Sequence, residues 1–201
     1  MLPPTMLENL DHRIFMLVYG GDAPGDVLMV MVGLTMIGSG WSILAFLPML
    51  AVPRLRRFAA YLCGTLIANA PVVYLVKMLV RRPRPFVTLE HVLPLFGGPT
   101  DFSFPSGHAA GSFCFSIFVT TVCLAQKPRR SRDLALAAAA VGVSAAIAVS
   151  RVYLGVHFPG DVTGGALLGG AIGYAGARAY LPPKAGDRHP SPKAPTHAIL
   201  R

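Results

Sequence analysis

The sequence predicts an all-α integral membrane protein: a bundle of five transmembrane helices plus an N-terminal amphipathic interfacial helix. Three observations carry that expectation. Of the 201 residues, 53% are hydrophobic and only 13% charged, against about 25% charge in an ordinary soluble domain; the mean hydropathy is +0.55. Five apolar runs approach the roughly 20 helical residues needed to cross about 30 Å of hydrocarbon. The basic residues, finally, are sorted by segment, as membrane topology requires.

Residues 3–19 are too polar to span. Thr5 is placed as an N-cap with Glu8 three residues on, a capping-box spacing, and Leu7, Leu10, Ile14, Phe15 and Leu17 form one broad apolar stripe. Such a helix lies in the interface or covers the bundle, and the Gly- and Pro-rich stretch 20–25 ends it. The first span, 27–50, holds no charge. Residues 53–57 (Pro-Arg-Leu-Arg-Arg) read as a tight basic turn, and 58–80 as the second span with Lys77 its sole charge. A polar loop rich in Pro and Gly follows over 81–107, then the third span at 108–125. A second basic turn at 127–132 precedes the Ala- and Val-rich fourth span at 134–150. A short loop, 151–161, leads into the fifth, 162–181, where Gly165, Gly169 and Gly173 recur at the four-residue spacing that lets helices approach closely in lipid. The tail 182–201 is rich in Pro and Lys/Arg and is expected to be disordered. The chain thus divides into an interfacial helix and linker (1–25), a transmembrane domain (26–181) and a tail (182–201).

The two basic turns and the C-terminal end from Arg178 carry 12 of the 18 cations against two acids, Asp133 and Asp187. Cytoplasmic loops favour Lys and Arg, so these segments and the C-terminus are assigned to the cytoplasm. Loops 81–107 and 151–161 then share the opposite, external face of the membrane. A net charge of +9 does not indicate nucleic acid, because the charge is sorted by membrane side and no soluble module remains to bind it. Cys63, Cys114 and Cys123 fall inside apolar runs without ligand-spaced partners, which argues against a disulfide framework or a zinc site. No basic segment precedes the first apolar run, so a cleaved signal peptide is not expected. Oligomeric state is not readable from the sequence.

Almost all the remaining polar chemistry lies in three stretches. Lys77 sits inside a span, where an ionisable group costs about 2.5–3.5 kcal/mol at the centre and is functional by default, although its late position also permits snorkelling. Arg84, seven residues on and bracketed by Pro83 and Pro85, offers a planar guanidinium suited to bidentate phosphate binding. Arg81 and Arg82 read as interface anchors. Pro105-Ser106-Gly107-His108 opens the third helix; its free N–H groups and positive dipole end make an anion site, with simple capping by Ser106 as the plainer reading. In 150–161, Arg151 adds a third cation, and His157 and Asp161 stand four residues apart. A carboxylate beside one imidazole nitrogen fixes the tautomer and makes the other nitrogen a better nucleophile. Asp161 also sits where it can cap the fifth helix.

These segments resemble the three signature motifs of the type-2 phosphatidic acid phosphatase superfamily: K-x6-R-P, P-S-G-H and S-R-x5-H-x3-D, matched at every fixed position in order. An interfacial helix in place of the first span departs from the commoner six-span form. The resemblance implies a lipid phosphate phosphatase in which His157 attacks phosphorus, Asp161 orients it and His108 protonates the leaving oxygen and then activates water. Lys77, Arg84, Ser106, Gly107 and Arg151 would bind the phosphoryl oxygens. No metal and no cofactor are implied, and the partners would be the bilayer and a lipid phosphate substrate: undecaprenyl diphosphate, phosphatidic acid, phosphatidylglycerol phosphate or a lipid A type. The related vanadium-dependent haloperoxidases are soluble and fit poorly. A lipid phosphotransferase and a non-catalytic lipid transporter on the same scaffold are the alternatives.

Overall fold

The computed structural model describes residues 6–22, 24–125, 128, 130–182; Thr5, Lys127, Arg129 and the tail beyond residue 182, on which some of the sequence expectations rest, lie outside that set. Among the described residues there are helices and loops but no strands. The order is α1 (Met6–Val18), α2 (Gly25–Ile37), a 3-10 segment (Gly40–Ala51), α3 (Pro53–Val80), the one-turn α4 (Pro85–Thr88), α5 (Gly107–Ala125), α6 (Ser131–Tyr153) and α7 (Pro159–Tyr180).

Among the described residues, three stretches are long and apolar enough to cross a membrane, Pro53–Thr88 (containing α3), Gly107–Ala125 and Ser131–Tyr153. A fourth exists if α2 and the 3-10 segment count as one span. The run 27–50 is therefore not one straight helix. It bends by 51° at Gly38-Ser39-Gly40, where a Cβ on Gly38 would lie 2.4 Å from Ile147 Cγ2; the missing side chain lets the chain pass close to α6 there. The basic stretch 53–57 is no separate turn either. It forms the first turns of α3, with Pro53 at the position where a missing N–H costs nothing. The apolar stripe expected on α1 is likewise split: Phe15 is fully buried, while Leu10 and Leu17 face outward.

α5 is the centre of the bundle, packed against α7, α6 and α3. Between apolar helices in lipid no hydrophobic force remains, and close van der Waals contact decides association. The glycines of α7 provide it. A Cβ on Gly165, Gly169 or Gly173 would come 2.5, 1.9 or 2.2 Å from the carbonyl oxygens of Ser106, Ala110 and Cys114 in turn, so the two backbones touch along two helical turns. At the end carrying the α3 N-terminus, Leu62, Phe118, Val122 and Ala177 form a core cluster, closed by Arg57, which donates to Tyr180 O (2.7 Å) and lies over its ring. At the opposite end Phe15 of α1 joins Val92, Val152 and Phe158. That second end gathers the C-termini of α3 and α6, the N-termini of α5 and α7, and both loops of interest.

Candidate active site

Two backbone devices shape this end. Gly155 has φ +75°, a conformation that side chains disfavour, and a Cβ there would meet Leu93 O at 2.9 Å. It turns the chain sharply out of α6, so that the amides of Val156 and His157 both donate back to Arg151 O (3.3 Å each). The second device joins the other loop: Ser103 N donates to Arg82 O (2.8 Å), and Ser106 N to Asp161 O (2.9 Å). The three chemically rich stretches are thereby tied to one another through the main chain.

His157 and Asp161 are both buried, with Nδ1 3.6 Å from Asp161 Oδ2. Ser103, which the sequence reading did not single out, stands between them. Its hydroxyl donates to Asp161 Oδ2 (2.5 Å) and lies 3.3 Å from His157 Nδ1. With the hydroxyl hydrogen given to Asp161, the Ser103 oxygen accepts from Nδ1–H. That tautomer leaves the lone pair on Nε2, which faces Arg84 Nη1 at 3.3 Å. Burial pushes the imidazole down to about 4, with the neighbouring Asp161 carboxylate opposing the fall and the Arg84 charge adding to it. The ring is neutral at pH 7, the form required of a nucleophile. Asp161 also accepts from Phe158 N–H (2.8 Å), so its capping role and its contact with His157 coexist. Its second oxygen takes Arg82 Nη1 at 2.8 Å, which places Arg82 in the site rather than at an interface anchor position.

The cations converge on Asp101, a second residue missed from sequence. Arg84 binds it through Nη2–Oδ1 (2.5 Å) and donates Nε to its carbonyl (2.8 Å), while Nη1 donates to Val156 O (2.7 Å). Lys77 Nζ reaches Asp101 Oδ2 at 3.1 Å and donates to Phe102 O. Partial burial works against the Asp101 charge, but the bonds from Arg84 and Lys77 outweigh it and hold the carboxyl below the usual range. Arg151 is buried and donates Nη1 to Thr35 Oγ1, yet its Nε has no hydrogen-bond partner among the described residues. Ser106 Oγ accepts from Ala109 N–H (3.4 Å), a capping bond. His108 stands within electrostatic range of Arg151, His157, Arg84 and Lys77. With Gly107, Lys77 and Asp101 it lines part of a cavity of about 1170 Å³ whose walls are mainly apolar side chains of the 3-10 segment, α3, α5 and α6. Among the described residues no three His, Cys, Asp or Glu side chains group as metal ligands.

A buried, oriented, neutral imidazole with Arg84 against its Nε2 and the charge of Arg151 within reach is equipped to attack a phosphoryl group and to stabilise its charge. A family model described as "PAP2 superfamily" matches residues 58–182, which include every charged side chain described above for this site. The chain belongs to the PAP2 superfamily. Among curated PAP2-like proteins, decaprenylphosphoryl-5-phosphoribose phosphatase of Mycobacterium tuberculosis is 36% identical over 158 residues, covering 76% of this chain and 79% of that protein. Among solved structures, a transmembrane PAP2-type phosphatidylglycerolphosphate phosphatase from Bacillus subtilis shares the fold. Its TM-score is 0.72, with 22% identity over 88% of this chain and 87% of that one. Aquifex aeolicus LpxE gives a TM-score of 0.67 with 26% identity, over 84% of this chain and 95% of that one. This PAP2 chain is accordingly a multi-pass membrane phosphatase.

Proposed function

We propose that this PAP2 phosphatase removes a terminal phosphate from a membrane lipid through a phosphohistidine on His157, without a metal ion. The observation that carries the reading is the His157 imidazole, held at Nδ1 by Ser103 and Asp161 with Nε2 turned to Arg84. Nε2 attacks phosphorus, the bond to the lipid oxygen breaks, and His108 protonates that oxygen. His108 then takes a proton from water, whose oxygen attacks the phosphohistidine and releases inorganic phosphate and free imidazole. Lys77, Arg84 and Arg151, with the Ser106–Gly107 start of α5, hold the phosphoryl oxygens and offset the charge that builds up on them. The Nε of Arg151, which has no hydrogen-bond partner among the described residues, is a donor of the kind this step uses.

The large apolar cavity lined in part by His108 and Lys77 supports a lipid rather than a soluble substrate. Undecaprenyl diphosphate, phosphatidic acid, phosphatidylglycerol phosphate, a lipid A type phosphate and a polyprenyl-linked sugar phosphate are the set to compare. We place the site on the outer face of a bacterial inner membrane, with the C-terminus in the cytoplasm, from the sorting of cations. In this arrangement there are five crossings: the bent α2 unit, α3, α5, α6 and α7, whose 22 residues extend about 33 Å. α1 lies in the interface, residues 1–25 form its segment, 26–181 the phosphatase domain and 182–201 the tail.

The test is phosphate release from those lipids by purified wild type and His157→Ala with chelator present, together with acid-quenched trapping of the phosphoenzyme. Release by wild type, trapping of an acid-labile adduct and at least about a thousandfold loss in His157→Ala are expected. Undiminished release by His157→Ala removes the phosphohistidine. Release that appears only with an added alcohol acceptor makes the protein a phosphotransferase, and none under any condition returns it to lipid transport.

A further inference from the structure

α1 does more than cover the bundle. Asp11 accepts from Arg82 Nη2 (2.5 Å) through one oxygen and from the Gly160 amide (2.7 Å) through the other. Arg82 gives its second amino group to Asp161 (2.8 Å). The guanidinium is stacked over the Phe158 ring at 4.4 Å, and the far environment of that ring is again α1: His12 stacks on it at 5.0 Å and Phe15 tilts against it at 5.4 Å. One turn of α1 therefore encloses residues 158–161, the segment that fixes Asp161 against His157.

We infer that Asp11 and Arg82 are positioning residues for the phosphoryl transfer, forming with Asp161 a charge chain that runs from the N-terminal helix to the His157 imidazole. The inference rests on His157 being the nucleophile, as proposed. Its physical basis is charge compensation. Asp161 is fully buried, and a buried carboxylate stays ionised only when paired. Its charged partner is Arg82, since Ser103 and the Phe158 amide are neutral donors. A guanidinium is a planar fork, so the direction of Nη1 towards Asp161 is set by what holds Nη2. Asp11 holds it. Asp11, in turn, is anchored to the α7 N-terminus through Gly160, one residue from Asp161. Movement of α1 would rotate the fork, loosen Asp161 and release the His157 tautomer. The site of this protein is thus incomplete without its first helix, which bears exposed Met6, Leu10 and Leu17 and is seated on the rest of the molecule by the buried Phe15 and by the polar contacts of Asp11.

The experiment uses the full chain in detergent with one lipid phosphate, and compares wild type, Asp11→Asn, Asp11→Glu, Arg82→Gln, the Asp11→Asn/Arg82→Gln double variant and His157→Ala. Asn at 11 keeps an oxygen for the Gly160 amide and puts an amide nitrogen, which cannot accept, where the second oxygen met Arg82, so both the charge and the acceptor facing Arg82 are lost. The expected result is a kcat lowered about fivefold in Asp11→Asn and about fiftyfold in Arg82→Gln, with KM within twofold of wild type and Asp11→Glu restored to at least half of wild-type kcat. The double variant should be no slower than Arg82→Gln, because Asp11 acts through Arg82. A wild-type kcat in Asp11→Asn, or a further fivefold loss in the double variant, overturns the chain and leaves α1 a cover. If Asp11→Asn fails to fold, Arg82→Lys decides: it keeps the charge but cannot bridge two carboxylates as a fork, and wild-type kcat in it overturns the inference. Activity retained by His157→Ala removes the underlying mechanism and the inference with it, an outcome distinct from either of the others.

Discussion

The seam between α5 and α7 and the cavity between the 3-10 segment, α3 and α6 border the same helix, α5, and are built in opposite ways. Along the seam, three glycines bring backbone against backbone with no room for a methyl group. On the other flank the helices stand apart around about 1170 Å³ of apolar space. The proposed reacting groups are distributed accordingly. Asp161 and His157 belong to the α7 side, where nothing can shift, while His108 projects from α5 towards the open side. The difference teaches that rigidity in this bundle comes from small residues, and access from larger ones that do not meet.

Filling the seam should have the largest effect. Gly169→Ala puts a Cβ 1.9 Å from Ala110 O, against backbone that cannot turn aside. A loss of about 1–3 kcal/mol is expected, seen as a lower Tm in detergent, with activity falling because Asp161 rides on the same helix. Filling the cavity should spare stability and change selectivity. Ala140→Phe, on the α6 wall, is expected to lower kcat/KM for a long-chain lipid phosphate about tenfold, roughly 1.4 kcal/mol, and to leave a short-chain phosphate ester unaffected; equal losses on both would detach the cavity from substrate binding. A third comparison uses pH. His157 is pushed down to about 4 by burial, so kcat/KM should stay level from pH 7 to about 5 and halve near pH 4. The linked effect on stability has a definite sign. Between the ordinary value near 6.5 and about 4, the unfolded chain binds a proton that the folded chain refuses, so stability falls as pH falls through that window, and His157→Gln should flatten the trend. The smallest effect is a control for the first: a methyl group added at Gly142 of α6 would have nothing within 4 Å, and Gly142→Ala should raise stability by about 0.5–1 kcal/mol.

Much of this was legible in the sequence because it is local. Lys77 and Arg84, the Pro105–His108 run, and the pair His157 and Asp161 are short-range patterns, and the chain folds them to one end of the bundle. The glycine repeat of α7 announced a close helix contact and makes one. What escaped is what depends on distant partners. Ser103 meets His157 across 54 positions, Asp11 meets Arg82 across 71, and neither pairing leaves a spacing to read. Hydropathy was equally blind to the bend at Gly38-Ser39-Gly40, since apolar composition is the same on a straight span and a broken one. Arg82, adjacent in sequence to the exposed Arg81, was indistinguishable from it until Asp161 was seen beside it.

The carboxylate of Asp101, shared between Lys77 and Arg84, has a consequence for what the site will accept. It is an anion that the protein carries on a tether, and a tethered group competes at an effective concentration on the order of millimolar or above. A stray monoanion, or inorganic phosphate at lower levels, has to displace it without compensation. A lipid phosphate that also fills the neighbouring cavity brings a second source of binding free energy and can. In the proposed mechanism, Asp101 acts as a built-in rival that keeps two strongly basic side chains together and quiet until the right headgroup, attached to the right tail, arrives.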